Sequence, residues 1–399
     1  MATVAAAAML AGAIPFACVP PPGTTEAPGH ATTPQGRARP ARVLLVAREA
    51  EASVSSAGPY RVRPTAPGSA VVARGGSLAS TVVRPLARGL ALGSRSLRHY
   101  SVRIVADQDG DLAVNGRRYR GELVVRRDSD QALSVLNVVP LEAYLYSVLG
   151  SETYAGWPPE ALEAQAIVAR SYALWRMAQR RHQDFDLHAT VMDQNYLGLA
   201  KEDPRLRAAV DRTEGVVLLY QMKLFRCYYH STCGGHTEAV EAVFPDVPLA
   251  PLRGTPCVYC KDSKHYRWRR EFSAAELARA LRKGGLAVDR VASVEVTART
   301  ASGRAETVAL ECGDGTRRVL RASEFRLKVG PSRLPSTFFE IREQGSGWEF
   351  RGRGWGHGVG MCQWGSRGMA QRGYSAAEIL RHYYPGAALR RLYGGRGRI

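Results

Sequence analysis

The sequence has few lysines, no long apolar run and no block of basic residues. Lysine occurs at only six of 399 positions, so the net charge of +19 comes almost entirely from arginine, which is spread along the whole chain. Nucleic-acid-binding domains usually concentrate their basic residues in one patch or carry a helix-turn-helix or zinc-finger pattern. Neither is present, which argues against a nucleic-acid partner. The charge instead suits an acidic polymer such as a cell wall.

The longest apolar stretch lies at the N-terminus and is too short to cross a membrane. Residues 1–18 contain an apolar run of roughly 15 residues, whereas a spanning helix needs about 20. The run resembles the hydrophobic part of a signal segment, although the usual basic residues do not precede it. We therefore expect export to the periplasm or cell envelope. Lipid attachment at Cys18, and with it membrane contact, remains an alternative.

Residues 19–58 are rich in Pro, Ala, Thr, Gly and Arg and predict a disordered linker. From residue 59 onward, short runs alternate apolar and polar side chains, and Asn115-Gly116 suits a two-residue hairpin turn. Strand-like runs come first, helices are interspersed, and strand–helix alternation is not regular. The pattern predicts an α+β fold of antiparallel strands with interspersed helices, in one domain over residues 59–395.

One carboxylate stands out in the stretch GSETYAGWPPEALEAQAIVARSYAL, residues 150–174. We expect a strand ending near Leu149, a loop that carries Glu152, and a helix from Pro158, because proline is well tolerated in the first helical turn. Cover by aromatic residues such as Trp157 would desolvate the carboxyl and raise its pKa into the range of a general acid. A lone glutamate before a helix is more often a solvated or capping residue, so spacing alone does not assign it a catalytic role.

Four of the seven cysteines lie between positions 227 and 260, and two of them form a C-x-x-C pair. Tetrahedral zinc needs four Cys or His ligands, and C-x-x-C is a common way to supply two of them. Disulfides, as expected in an exported protein, and free thiols are the alternatives. The candidate ligands are Cys227, Cys233, Cys257 and Cys260, with His230 and His236 as alternates.

A glycine-rich stretch, GRGWGHGVGMCQWGSRGMA, covers residues 352–370. Its glycines let the backbone approach a ligand closely and present His357 and Gln363, although His357 is as compatible with a structural role. A G-x-G-x-x-G look-alike occurs here without the strand–helix unit of a dinucleotide site, which argues against nucleotide binding. Cys362 would need a base and an electropositive setting to act as a nucleophile.

These motifs occur together in a fixed order and resemble the SpoIID/LytB family, the relatives of stage II sporulation protein D, over roughly residues 99–395. The matching segments are YRGELVV, VVPLEAYLYSVLGSE, WPPEALEAQAIVARSYAL, YHSTCGGHTE and GHGVGMCQWGSRGMAQRGYSAAEILRHYYPGA. The resemblance implies a SpoIID-like catalytic domain that acts as a lytic transglycosylase on peptidoglycan glycan strands. LytB-type members modify amidases, so a non-catalytic amidase-enhancing or wall-binding role, with an amidase as partner, is the alternative.

The resemblance also implies roles for individual residues. Glu152 matches the catalytic acid, and one carboxyl is enough when the substrate's own C6 hydroxyl attacks and leaves an anhydro-muramyl end. No cofactor is needed for this chemistry, so zinc would be structural. Arg170 is also compatible with an ion pair in the core. The candidates for holding the saccharide are Arg170, Tyr172, Ser231, His357 and Gln363.

The chain departs from the family pattern at four positions. The usual Met after the acid is Thr153, and a Lys in the following helix is Glu163. Cys362 and Ser366 replace a Ser and an Ala. None of these changes removes the acid, the histidine or the glutamine, but they leave the details of the substrate subsite open.

Overall fold

The structure is a computed structural model that describes residues 38–107 and 110–395. Its first part consists of twelve strands, which are β1 (Ala41–Glu49), β2 (Ala52–Ser56), β3 (Tyr60–Pro64), β4 (Ala73–Gly75), β5 (Leu78–Leu86), β6 (Gly89–Leu92), β7 (Arg95–Leu97), β8 (Ser101–Ala106), β9 (Leu112–Val114), β10 (Arg117–Tyr119), β11 (Glu122–Arg127) and β12 (Leu133–Val139). They form a sheet in the order β1-β12-β11-β8-β3-β4 and a second sheet in the order β10-β9-β2-β5-β6-β7. All pairs within these two sets of strands are antiparallel.

The linker predicted over residues 19–58 is wrong in its last part. β1 lies inside the first sheet, where Val43 and Val46 are buried, and β2 pairs with both β5 and β9. Alternating small and β-branched residues are enough to bury one face of a strand, even when arginine and alanine dominate the composition. By contrast, the hairpin turn is confirmed: Asn115 and Gly116 have φ values of 49° and 78° and join β9 to β10.

Two helices follow the sheets, α1 (Leu141–Glu152) and α2 (Pro159–Gln179). Each begins directly after a proline, Pro140 or Pro158, whose fixed φ suits the start of a helix. The strand predicted to end near Leu149 is therefore wrong, and Glu152 is the last residue of a helix. The reason is spacing, because the buried residues Leu141, Tyr144, Leu145, Val148 and Leu149 recur at intervals of three and four.

The chain then runs through a body, a separate segment and the body again. The body elements before the segment are β13 (Leu187–His188), α3 (Pro204–Arg212), β14 (Val216–Tyr220), β15 (Lys223–Leu224), β16 (Tyr229–His230) and α4 (Val240–Val243), with 3₁₀ turns at Gly198–Lys201 and Ala250–Leu252. The segment contains β17 (Arg267–Ser273), α5 (Ala274–Lys283), β18 (Val291–Arg299), β19 (Ala305–Cys312), β20 (Arg317–Arg321), α6 (Ala322–Val329), β21 (Phe339–Gln344) and β22 (Gly347–Arg353). The body resumes with β23 (Met361–Cys362), α7 (Gln363–Ala370), α8 (Ala376–Tyr383) and β24 (Ala388–Arg391).

The pairing of these elements positions the site. β13 extends the first sheet alongside β1, and β14 lies between β15 and β24. The segment forms two three-stranded sheets of its own, β17-β22-β21 and β18-β19-β20, around a core that contains Phe325, Phe339 and Phe350. β16 and β23 run parallel, with Tyr229 opposite Met361 and His230 opposite Cys362. This short pair joins the HSTCGG turn to the glycine-rich loop.

The predicted α+β class, with mostly antiparallel sheets and interspersed helices, is confirmed. Among residues 38–107 and 110–395, the helices are all too short or too polar to cross a membrane. The signal segment predicted over residues 1–18, including Cys18, lies outside the described residues.

Candidate active site

A cavity of about 500 Å³ brings together most of the candidate site residues. Its walls come from the end of α1, from α2, from the loop before the Gly198–Lys201 turn, and from the β16 and β23 segments with the loops beside them. The candidates that line it are Glu152, Tyr172, Ser231, His357 and Gln363, together with Cys227 and His230 from the predicted metal ligands.

Glu152 is half-buried at this cavity, and its carboxylate has little to stabilise its charge. The backbone N–H of Asn195 donates to Glu152 Oε1 over 3.2 Å. Burial raises the pKa of Glu152 to about 7 and outweighs the lowering effect of that hydrogen bond, and no charged side chain among the described residues contributes. The carboxyl therefore holds a proton up to neutral pH, as a general acid must.

Asp193 is the second carboxylate in the cavity lining, and it is fully engaged. The Tyr172 hydroxyl and Arg176 Nε each donate to Oδ1 over 2.8 Å. Oδ2 accepts from an Arg180 guanidinium nitrogen over 3.1 Å and from the His188 backbone N–H over 2.8 Å. Both oxygens of Asp193 are thus occupied by hydrogen-bond donors, which distinguishes this carboxylate from Glu152.

Gln363 fixes the end of the helix that carries the acid. Its amide Nε2 donates to the Glu152 backbone carbonyl over 3.1 Å and lies 3.4 Å from Gln165 Oε1. Thr153 also closes the helix, because its hydroxyl donates to the Leu149 carbonyl over 2.8 Å. The Thr153 side chain is thus used in ending α1, and it does not line the cavity.

His357 has both ring nitrogens engaged by the backbone. Nε2 lies 2.9 Å from the Tyr229 carbonyl oxygen, and the Val359 N–H donates to Nδ1 over 3.1 Å. The two contacts assign the proton to Nε2, and burial lowers the pKa of His357, so the ring is neutral. His357 therefore holds the glycine-rich loop against β16, as the structural interpretation of the sequence requires.

His230 is also neutral and buried. Its Nδ1 lies 3.0 Å from the Val359 carbonyl oxygen, and Nε2 has no hydrogen-bond partner among the described residues. Burial lowers the pKa of His230 to about 3. His230 on β16 thus bonds to the glycine-rich loop, and His357 in that loop bonds to β16, so the two histidines hold these segments together.

The interpretation of Arg170 as a saccharide ligand is corrected by its position. Arg170 is fully buried and does not line the cavity. Its guanidinium donates to the Glu142 carboxylate over 2.6 and 2.9 Å and to the carbonyls of Val210 and Val216 over 3.1 Å each. The alternative, an ion pair in the core, is the one that the structure shows.

The cysteines group differently from the sequence prediction. Cys233, Cys257 and Cys260 come together with Cys362, and their four sulfur atoms lie within 4.8 Å of one another. Cys227 is buried but lies outside this cluster. Both alternates, His230 and His236, also lie outside it. All six cysteines of the described residues are free, so the disulfide alternative is not realised in this structure. Cys362 was missed because it lies about a hundred positions from the C-x-x-C pair.

Several residues of the cavity had no signal in the sequence pattern. Asn195 contributes through its backbone, and Arg226 lies with its guanidinium 4.5 Å from the Tyr228 ring centroid. Val191 and Met192 line the cavity although 82% and 65% of their surfaces are exposed. Loop residues of this kind follow no periodic pattern, which is why the sequence alone does not single them out.

A larger cavity of about 920 Å³ lies in the separate segment and contains none of the candidate site residues. It is rich in arginine and aromatic residues, whose planar guanidinium groups suit carboxylates and phosphates. Its lining holds one carboxylate, Glu340, so it offers a binding surface rather than an acid/base pair. The arginines are Arg267, Arg269, Arg299, Arg351 and Arg353.

Together these features define an α+β protein whose cavity holds one protonatable glutamate. The model of the stage II sporulation protein family, SpoIID, matches residues 129–220, which include α1, Glu152 and α2. A model of a domain of unknown function, DUF8618, matches residues 254–360.

Comparisons with individual proteins agree with the family match. An uncharacterised protein of Brachyspira hyodysenteriae is 32% identical over 346 residues, which cover 86% of this chain and 91% of the relative. Stage II sporulation protein D of Bacillus amyloliquefaciens is 31% identical over 263 residues, 62% of this chain and 73% of the relative. An amidase enhancer of Bacillus subtilis is 27% identical over 288 residues, which cover 61% of this chain and 40% of the relative. The chain belongs to the SpoIID/LytB family.

Proposed function

We propose that this protein is an extracytoplasmic lytic transglycosylase that cleaves peptidoglycan glycan strands, with Glu152 as its single acid/base. The observation that carries the proposal is the contrast within the cavity. The pKa of Glu152 is raised to about 7, and no side chain of the described residues forms an ion pair with it, whereas Asp193 is held by two arginines. The membership of the chain in a cell-wall family supports the choice of substrate and the location outside the cytoplasm.

The number of carboxyl groups available in the cavity favours a lyase over a hydrolase. Glycoside hydrolases ordinarily use two carboxyls, about 5–5.5 Å apart in retaining enzymes and about 6.5–9.5 Å apart in inverting ones. Asp193 is the other acid in the described lining, and its hydrogen bonds leave it unsuited to act as nucleophile or base. A mechanism with one carboxyl therefore fits this cavity better.

In that mechanism the proton of Glu152 goes to the glycosidic oxygen while the bond from that oxygen to the anomeric carbon breaks. The C6 hydroxyl of the same sugar then forms a bond to the anomeric carbon. Its proton passes to the Glu152 carboxylate, which restores the acid. The product carries a 1,6-anhydro-muramyl end, and no water enters the reaction.

The remaining candidates divide into two roles. Tyr172 and Ser231 line the cavity, and we propose that their hydroxyl groups contact the saccharide. The Tyr172 hydroxyl would do so as an acceptor, because it donates its proton to Asp193. Gln363 and His357 are bound to backbone groups, so they position the walls, Gln363 at the end of α1 and His357 at the glycine-rich loop.

The test compares Glu152→Gln with Glu160→Gln, a matched control in the first turn of α2 that does not line the cavity. Purified glycan strands, with and without peptide stems, are incubated in ¹⁸O-water, and the products are analysed by mass spectrometry. We expect the wild type and Glu160→Gln to give anhydro ends without ¹⁸O, and Glu152→Gln to lose at least about 100-fold in rate. Undiminished product from Glu152→Gln, or reducing ends that carry ¹⁸O, would overturn the proposal.

The second candidate is a non-catalytic role, which the similarity to an amidase enhancer favours. In that case the wild-type protein would release no anhydro ends from either glycan, but it would increase the release of peptide stems by an added cell-wall amidase. Glu152→Gln would then leave this increase unchanged, since no proton transfer is involved.

A further inference from the structure

We infer that Cys233, Cys257, Cys260 and Cys362 bind one structural Zn²⁺ ion that closes the base of the segment carrying β17 to β22. Their four sulfur atoms lie within 4.8 Å of one another, and none of the four residues is more than 1% exposed. The inference concerns a different site from the Glu152 cavity and does not depend on glycan cleavage.

The spacing of the sulfur atoms fits a tetrahedral ion. Sulfur ligands about 2.3 Å from zinc stand about 3.8 Å apart at the corners of a tetrahedron. Cys233 Sγ and Cys260 Sγ are 3.5 Å apart, which is far longer than a disulfide bond of about 2.05 Å. The group is therefore arranged around a common centre rather than in bonded pairs.

Hydrogen-bond donors point at these sulfur atoms. The Cys233 N–H donates to Cys362 Sγ over 3.2 Å, and the Gly365 N–H donates to the same atom over 3.3 Å. The Gly235 N–H lies 3.5 Å from Cys233 Sγ, and the Tyr383 hydroxyl lies 3.1 Å from Cys257 Sγ. Backbone donors around sulfur stabilise thiolates, the form in which cysteine binds a metal.

A buried arginine beside the cluster is a second, independent observation. Arg304 is fully buried and donates to the carbonyls of Cys233 and His236, while its Nε and one guanidinium NH₂ group lack a hydrogen-bond partner among the described residues. A buried guanidinium with open donors is costly unless negative charge is near. The Glu238 carboxylate supplies part of that charge, and four thiolates around Zn²⁺, with a net charge of −2, would add to it on the side of the cluster.

The position of the ligands in the chain suggests what the ion does. Cys257 and Cys260 lie at the beginning of the region 254–360 that matches the domain of unknown function, and Cys362 follows its end. Cys233 belongs to the body, in the HSTCGG turn after β16. One ion would thus fasten the points where the chain leaves the body and returns to it. Because Cys362 directly precedes Gln363, the ion would also hold α7 in place beside Glu152.

The first experiment measures metal and thiols in the full chain purified under reducing conditions without added metal. We expect one zinc per chain, and zinc K-edge absorption that shows four sulfur neighbours at about 2.3 Å. Nitrogen or oxygen neighbours, iron in place of zinc, clearly substoichiometric metal, or a mass deficit of four hydrogens from two disulfides would overturn the inference. This measurement needs no variant, so a folding defect cannot obscure it.

The second experiment uses Cys227→Ser as a matched control, since Cys227 is equally buried, lies six positions before Cys233 and is outside the cluster. We expect Cys257→Ser and Cys362→Ser to lose the zinc, and Cys227→Ser to keep one equivalent. Loss of zinc in Cys227→Ser, or its retention in Cys362→Ser, would contradict the ligand set. Glu152→Gln should keep the metal, so the outcome here is separate from that of the glycan assay.

Discussion

Glu142 and Glu152 stand at the two ends of the same helix, and their surroundings are opposite. Glu142 lies in the first turn of α1, where Arg170 donates to both of its oxygens and the Tyr393 hydroxyl donates to Oε1 over 2.7 Å. Glu152 ends the helix and receives one backbone N–H, from Asn195. Both side chains are half-buried, so the number and charge of the partners distinguish them.

The position of each glutamate along α1 affects the charge of its carboxyl group in the same direction as its hydrogen-bond partners do. The N-terminus of a helix carries a partial positive charge that favours a carboxylate, and the C-terminus carries a partial negative charge that disfavours one. Glu142 therefore has a guanidinium and the favourable helix end, whereas Glu152 has neither. The chain uses the first glutamate to hold its core and leaves the second one able to keep a proton.

The largest effect is expected from removing the paired acid. Glu142→Gln would leave the Arg170 guanidinium buried without its counter-charge, and we expect the free energy of unfolding to fall by about 3–5 kcal/mol. Urea unfolding followed by circular dichroism measures this change. The double variant Glu142→Gln, Arg170→Met should recover part of the loss, because it removes the unpaired charge. A loss below about 1 kcal/mol in the single variant would show that the pair does not stabilise the fold.

A smaller effect on stability, in the direction of stabilisation, is expected from Glu152→Gln at the other end of α1. The pKa of Glu152 rises from its ordinary value of 4.5 to about 7 on folding, so the folded protein binds this proton more tightly than the unfolded chain does. The stability that the proton confers is complete below pH 4.5 and is lost as the pH rises through 7. Glutamine stays uncharged at every pH, so the Glu152→Gln variant does not lose stability in this way. Above pH 7 we expect this variant to be more stable than the wild type by about 1–3 kcal/mol.

Unfolding measured from pH 4.5 to 8 tests this expectation. The difference between Glu152→Gln and the wild type should grow with pH, while Glu160→Gln should follow the wild type. A constant difference across this range would mean that Glu152 does not change its proton affinity on folding.

The comparison also shows how far the sequence alone leads. The α+β class, α2 and the hairpin at Asn115-Gly116 were predictable, because local periodicity and turn residues carry that information. The catalytic role of Glu152 stays a prediction. α1 was mistaken for a strand, since a short dense apolar run such as VVPLEAYLYSVL fits either period. β1 and β2 were mistaken for a linker, because the Ala- and Arg-rich composition of this region outweighed the alternation of buried and exposed residues in these strands.

The parts of the site that could not be predicted depend on contacts between distant segments. The partner of Glu152 is a backbone amide at Asn195, which leaves no trace in a residue pattern. Cys362 joins the other cysteines only because β23 pairs with β16. Arg170 illustrates the same limit, since its helical position allowed a ligand or a core residue, and the choice depended on Glu142.

The smallest change in stability is expected at a third glutamate, Glu163 on α2, which forms an exposed ion pair. It departs from the lysine of the family pattern, and Arg212 Nε donates to its Oε1 over 2.6 Å. The Arg212 side chain is 51% exposed, and exposed pairs of this kind contribute about 0–1 kcal/mol. We expect Glu163→Lys to lower the free energy of unfolding by no more than about 1 kcal/mol, and 0.5 M salt to reduce the difference because it screens exposed charges. Glycan cleavage should stay unchanged, since Glu163 does not line the cavity. A fall in cleavage rate at unchanged stability would instead place this departure from the family pattern in the binding of substrate.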